Sequence, residues 1–177
     1  MIYLVLLGFV FFIAYLFISR RRSPIPYFPS NRKDVHRIVK MLQIKNDQVI
    51  YDLGAGDGIV IFAAAHQAHR KKLNTRFVAV EINPVLLAVL WLRRLLHPNK
   101  KNISIEYGDI FTMQYRSDKK NLTFFTYISP WYLGQVVRNC KKQMQSFNFV
   151  SYFYPLPNHR AIAHIHGVHT VYQYKFS

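Results

Sequence analysis

The sequence predicts an α/β fold: a mostly parallel seven-stranded sheet with helices on both faces and a C-terminal antiparallel hairpin, preceded by one N-terminal transmembrane helix. Three observations carry this. From Gln48 onward, short and nearly continuous apolar runs alternate with helix-length segments, the pattern of a parallel sheet covered on both faces. Near the end, "RAIAHIHGVHTVYQYKF" holds two alternating runs that meet near Gly167, which reads as an antiparallel hairpin closing one edge. At the start, an uncharged apolar stretch is followed at once by arginines.

That first stretch, Ile2 to Ile18, is "IYLVLLGFVFFIAYLFI", with no breaker except Gly8. At about 1.5 Å per residue it nearly crosses a hydrocarbon core of about 30 Å. Its positive flank, Arg20 to Arg22, follows the apolar run instead of preceding it, and no small-residue cleavage site comes after. A retained anchor therefore fits better than a cleaved signal peptide, with the rest of the chain on the cytoplasmic face, or the matrix face of an organelle. The expected organisation is an anchor with its basic flank over residues 1–22, a proline-rich extended linker over 23–31 ("SPIPYFPSN"), and an α/β domain over 32–177.

Within the domain, Ser30 or Asn31 can cap a helix whose apolar positions Val35, Ile38, Val39 and Leu42 follow helical spacing. Strands are then expected at Gln48–Leu53, Arg76–Glu81, Ile103–Tyr107, Leu122–Tyr127 and Phe147–Tyr154. Helices are expected at Ile59–His69, Val85–His97 and Tyr132–Met144. The single cysteine, Cys140, excludes an internal disulfide and a multi-cysteine metal site, and reads as a packing residue. His164, His166 and His169 have neither the spacing nor the carboxylate neighbours of a metal site, and no metal is expected.

The chain carries 24 Lys plus Arg against 8 Asp plus Glu, a formal charge of +16 over 177 residues, so each acid is worth locating. Two of them flank the glycines of "VIYDLGAGDGIV", where the first strand ends. A ligand crevice in an open parallel sheet lies at the carboxyl ends of the strands, and glycines there allow close backbone approach and positive φ. The pattern is not a dinucleotide fingerprint, because Ile59 stands where the third glycine of G-x-G-x-x-G belongs, and no Gly-Lys-Ser/Thr follows for a Walker loop. Asp52 and Asp57 would also repel a pyrophosphate. They suit a ligand with an ammonium and a sulfonium and no phosphate, which points to S-adenosylmethionine. Its ribose hydroxyls and adenine amine need acceptors at neighbouring strand ends. Glu81, closing "FVAVE", and Asp109, in "ISIEYGDIF", stand at the next two, with Ile110 and Phe111 available to cover the adenine.

With these residues in place the sequence resembles the class I, seven-β-strand, S-adenosylmethionine-dependent methyltransferases of Rossmann-like fold, whose first motif D/E-x-G-x-G-x-G matches Asp52 to Gly58. More narrowly it resembles the small membrane-anchored protein-lysine methyltransferases that act on the ATP synthase rotor-ring protein (its c subunit) and the adenine nucleotide translocator. That likeness runs along nearly the whole chain through the apolar N-terminal helix, "YFPS", "DLGAGDG", "VEINP", "GDI" and "VHTVYQY". It implies a cofactor site of Asp52, Gly54, Ala55, Gly56, Glu81, Ile82, Asn83, Asp109 and Ile110, with Tyr27, Phe28 and Pro29 folded over the cofactor. Many relatives carry an arginine after the last glycine, where this chain has Ile59.

The methyl acceptor is expected at the fourth strand's end, "TYISPWYL". Ser129-Pro130-Trp131-Tyr132 resembles the D/N/S-P-P-Y loop of nucleic-acid amino-methyltransferases, but Trp131 replaces the second proline. The same loop, with Tyr27 and Trp131, could form an aromatic channel for a lysine stem; Pro130 could also simply start a helix. Methyl transfer needs positioning and desolvation and no enzyme nucleophile. Asp57 or Ser129 are the candidates to assist deprotonation. The most favoured reading is an enzyme that methylates lysine on a membrane or membrane-adjacent protein. The alternatives are an amino-methyltransferase of nucleic acid and a non-catalytic S-adenosylmethionine-binding membrane protein. The dispersed basic pairs suit an anionic bilayer better than a single nucleic-acid strand, so nucleic acid is not the expected partner.

Overall fold

The computed structural model describes residues 3–11, 28–116 and 121–177. Residues 3–11 are helical and exposed. The remainder of the expected membrane segment, its arginine flank and Tyr27 lie outside the described residues. Among the described residues, no helix is long and apolar enough to cross a membrane.

The elements run α1 (Val35–Met41), β1 (Gln48–Leu53), α2 (Ile59–Arg70), β2 (Arg76–Glu81), α3 (Pro84–Leu96), β3 (Ile103–Tyr107), β4 (Asn121–Thr126), α4 (Pro130–Gln143), β5 (Phe147–Tyr152), β6 (Ala163–Ile165) and β7 (Val171–Phe176). They build a seven-stranded sheet in the order β3-β2-β1-β4-β5-β7-β6. The first five strands pair parallel, and β7 enters antiparallel between β5 and β6. β1 is buried along its whole length, as a central strand covered on both faces must be. Alternate β1 side chains serve two cores. Ile50 packs with α1, α2 and Leu90 of α3 on one face. Val49, Tyr51 and Leu53 pack with α4 and the segment after β3 on the other. Cys140 of α4 is fully buried there.

Where boundaries depart from the sequence expectation, the cause is local. α3 starts one residue earlier because Asn83 accepts from the Val85 and Leu86 amides at 2.9 and 3.3 Å, leaving Pro84 at the first helical position, where its missing N–H does no harm. α4 starts at Pro130 for the same steric reason. β5 stops at Tyr152 because Phe153 takes φ +74°, a left-handed conformation that ends the strand, and its ring stacks on His169 with centroids 3.9 Å apart.

The cap of α1 is also not the expected one. Neither Ser30 nor Asn31 but Asp34 occupies the cap position, and its side chain makes no capping bond. It turns inward instead. Fully buried, its carboxylate accepts from the Val168 amide at 2.9 Å, the His169 amide at 2.8 Å, the Tyr152 hydroxyl at 2.8 Å and Arg37 at 3.1 Å. A Cβ at Gly167 would collide with Asp34 Oδ1, so the turn between β6 and β7 closes on the acid only because residue 167 is glycine. Burial opposes ionisation of Asp34, but the His169 and Val168 amides, the Tyr152 hydroxyl and Arg37 outweigh it. Together they hold the carboxyl below the usual carboxylate range. One side chain thus latches the entry of α1 to the C-terminal hairpin.

Candidate functional site

At the carboxyl end of β1 the chain turns through Gly54, Gly56 and Gly58, whose φ angles are +80°, +59° and +77°. The turn is tied to the neighbouring strand, since the amides of Gly54 and Ala55 both donate to the Val80 carbonyl at 3.0 and 2.8 Å. The glycines serve different ends. A side chain at Gly54 would project into open space, meeting only Ile128 at 3.9 Å. At Gly58 a Cβ would lie 2.6 Å from Leu90 and 2.7 Å from Phe62, so this glycine lets α2 pack tightly against α3.

Above the turn lies a narrow cleft. It is lined by Asp52 and the loop from Gly54 to Asp57, by Ile59 and Val60 of α2, by Phe125 of β4 and Tyr127 just past its end, and by Phe28, Pro29 and Ser30. Phe125, Tyr127, Val60 and Ser30 are additions to the site residues expected from sequence. The first two lie at and just past the end of β4, whose apolar run carries no sign of which residues reach the cleft. Ser30 was read as a helix cap and as part of the "YFPS" likeness, not as a cleft residue.

Two buried carboxylates, Asp52 and Glu81, stand at adjacent strand ends with 3% and 7% of their surface exposed. Glu81 is held by three backbone donors: Gly56 N to Oε2 at 2.8 Å, and Ile82 N and Asn83 N to Oε1, both at 2.9 Å. These bonds fix the acid and the glycine turn to each other. Burial above all, then the charges of Glu81 and Asp57, push the Asp52 carboxyl up to about 8, against a smaller opposing effect of the Ile61 amide. At neutral pH Asp52 is therefore largely protonated.

Asp57 is engaged differently. Its Oδ1 accepts the Ile59 amide at 3.1 Å, and its Oδ2 pairs with Arg93 of α3 at 3.2 Å. The Arg93 guanidinium also donates to the Asp57 carbonyl at 2.6 Å and lies 5.0 Å from the Phe62 ring centroid. Arg93, which the sequence placed only among the dispersed basic pairs, puts a guanidinium beside a loop that Ile59 leaves without one.

Further along the strand ends, Ile82 is half-buried. Asn83 is spent as the α3 cap. The Gly108 amide donates to the Glu81 carbonyl at 3.2 Å, joining the ends of β2 and β3. Asp109 is half-buried and accepts the Phe111 amide at 2.9 Å. Ile110 is buried, its carbonyl accepting from Tyr115 at 2.9 Å and Asn139 at 3.1 Å. At the end of β4, Ser129 occupies the cap position of α4 without a side-chain capping bond, and Pro130 follows at the first helical position. Trp131 stands 86% exposed and is not among the residues lining the cleft. The expected pairing of Trp131 with Tyr27 in one channel involves a residue outside the described ones.

Comparison with solved structures places this geometry. The chain superposes on an RNA methyltransferase from Salinibacter ruber in complex with S-adenosyl-L-homocysteine with a TM-score of 0.72 at 21% identity, covering 84% of this chain and 94% of that one. The fold is that of the class I methyltransferases. Two curated proteins resemble the sequence of this methyltransferase-fold chain. A protein-lysine N-methyltransferase of Saccharolobus islandicus (strain REY15A) is 41% identical over 59 residues, 33% of this chain and 34% of that protein. A lysine N-methyltransferase of Xenopus laevis that acts on the c-type subunit of ATP synthase is 26% identical over 157 residues, 87% of this chain and 65% of that protein. The chain thus spans about a third of the archaeal relative and just under two thirds of the frog one. No family model matches the sequence.

Proposed function

We propose that this chain is an S-adenosylmethionine-dependent N-methyltransferase that methylates lysine side chains of a membrane or membrane-adjacent protein. In this reading an N-terminal helix anchors it, and its catalytic domain over 32–177 lies on the cytoplasmic or matrix side. The observation that carries the reading is the pair of buried carboxylates, Asp52 and Glu81, closing on a positive-φ glycine turn. Such a site repels phosphate, accepts hydroxyl donors and attracts a cation. Names of the sequence relatives support lysine as the acceptor.

When bound, S-adenosylmethionine supplies a methyl group on an electron-poor sulfonium. Glu81 would accept the ribose hydroxyls, and Asp109, Ile110 and Phe111 would receive the adenine. Asp52 would face the positive end of the cofactor. Phe28, Pro29, Phe125 and Tyr127 exclude water, which lowers the pKa of an entering lysine ammonium and frees its nitrogen. Burial first, and Tyr154 second, raise the Tyr127 hydroxyl above its ordinary value, so it stays neutral and can hydrogen-bond the amine. No dedicated base is required.

Because Asp52 is largely protonated before a cation binds, cofactor binding at pH 7 should release a proton. Affinity should then rise with pH until about 8. Titration calorimetry in buffers of different ionisation enthalpy reads the released proton directly, and the wild-type release should exceed that of Asp52→Asn.

The function itself is tested with methyl-labelled cofactor and washed membranes. Label recovered as methyl-lysine after acid hydrolysis supports the proposal. Label in nuclease-sensitive material supports the nucleic-acid reading, which the +16 charge and the exposed Trp131 favour. Cofactor binding without any transfer supports a non-catalytic role.

A further inference from the structure

In a sheet covered by helices, the outer side of each helix meets water and is expected to be polar. α3 departs from this. It buries Leu86 and Leu90 against the core, and its exposed positions are Val85, Ala88, Trp91, Leu92, Leu95 and Leu96, every one apolar. They recur at helical spacing along one outer stripe, with Leu92, Leu95 and Leu96 exposed by 64%, 57% and 89%. The helix at residues 3–11 does not cover the stripe, being itself exposed throughout.

The charge around the stripe points to its occupant. From Ile82 to Ile105 the sequence has no acid, while Lys100 and Lys101 stand exposed just past the end of α3. Arg70, Lys71 and Lys72 are exposed at the end of α2, which packs beside α3 on the same face of the sheet. Trp91 has the Arg94 guanidinium 5.3 Å from its ring centroid. Leucine and tryptophan on one helix face, bordered by lysine and arginine, match the interfacial layer of an anionic bilayer. A second copy of a chain of charge +16 would bring two basic borders together.

We infer that the outer face of α3 docks on an anionic lipid surface and lies in its plane. The inference goes beyond the anchor proposed above and does not need it. Its consequence is orientation. The cap of α3 is two residues past Glu81, so a docked α3 holds that strand end within about one helix diameter, roughly 10 Å, of the headgroups.

The chain has two tryptophans, so Trp131→Phe leaves Trp91 as a single reporter in the full-length protein. It is reconstituted with vesicles of phosphatidylcholine and phosphatidylglycerol, with and without brominated acyl chains. The expected result is a blue-shifted Trp91 emission that brominated lipid quenches and acrylamide does not, lost in Leu92→Glu/Leu95→Glu. Both leucines are exposed, so an unchanged melting curve checks that this variant folds. Lys100→Gln and Lys101→Gln should each weaken that docking about fivefold. Trp91 left open to acrylamide while the chain floats with the vesicles overturns the inference and leaves the anchor standing. Quenching followed by release in alkaline carbonate supports the inference and removes the anchor. Protection of Trp91 without lipid, together with a doubled mass, overturns it in favour of a second copy. Equal quenching in phosphatidylcholine alone overturns the anionic requirement.

Discussion

Replacing Glu81 by Ala or Gln is expected to weaken S-adenosylmethionine binding by about 10²–10⁴-fold, from two lost hydrogen bonds to a charged group at about 1.5–3 kcal/mol each. Glutamine is no safe substitute here. Three backbone N–H groups converge on the two carboxylate oxygens, so an amide NH2 in place of either oxygen would face at least one of them as donor against donor. Both variants should therefore loosen the Gly56 turn as well as lose the ribose contact. Titration calorimetry on detergent-solubilised protein whose melting transition has been verified reads the effect. Wild-type affinity in the Glu81→Ala variant would remove the basis for placing the cofactor at this strand end.

Asp34→Ala should be the most destabilising single change. It would strip four partners of an acceptor at a fully buried site, leaving the Val168 and His169 amides and the Tyr152 hydroxyl without it, while the partly exposed Arg37 keeps its bond to the Lys33 carbonyl. Removing one side of a buried charged network costs about 3–5 kcal/mol. For a chain of this length that is a fall in Tm of roughly 6–20 °C. Asp34→Asn should fall less, since one amide oxygen still accepts. The pH dependence has a definite sign. A carboxyl held below its ordinary value of 3.8 contributes fully above about pH 4, and its contribution is lost as pH falls through the native value. Wild-type Tm should therefore drop more steeply below pH 4 than that of either variant. Phe28 to Ser30 lead into the segment that Asp34 secures, so Asp34→Asn should also weaken cofactor binding, though less than Glu81→Ala. A variant with unchanged Tm would show that the latch carries no load.

The contrast between these two acids explains what the sequence disclosed. The place of Glu81 at a strand end was legible because its signal is local: a continuous apolar strand stops, an acid follows, and a proline opens the next helix. β1, β2 and β3 were legible to the residue for similar reasons, the first two as largely apolar runs and the third as an alternating one, cut off by Gly54, the Asn83-Pro84 pair and Gly108. Asp34 carries no such mark. Apart from Arg37, its partners lie 118 to 135 residues away, and an arginine three positions on does not distinguish it from a solvated helix-start acid. Arg93 was missed in the same way, meeting Asp57 across 36 residues. For Trp131, an aromatic beside the expected acceptor loop suggests a place in a channel; in the structure it is exposed on the helix that Pro130 begins, and its expected partner Tyr27 lies outside the described residues. The apolar outer stripe of α3 was present in "PVLLAVLWLRRLL", yet periodicity could not say which of its faces the core would claim.

The lone cysteine sets how this protein can be handled. Burial pushes the Cys140 thiol up to about 12, so at pH 7.4 fewer than about one molecule in 10⁴ carries the reactive thiolate. Folded protein is therefore expected to be silent toward maleimides. A cysteine introduced at a surface position becomes the sole attachment point for a probe without removal of the native one. Conversely, slow labelling of Cys140 itself reports the opening of the core beneath α4, a clock for unfolding that needs no denaturant.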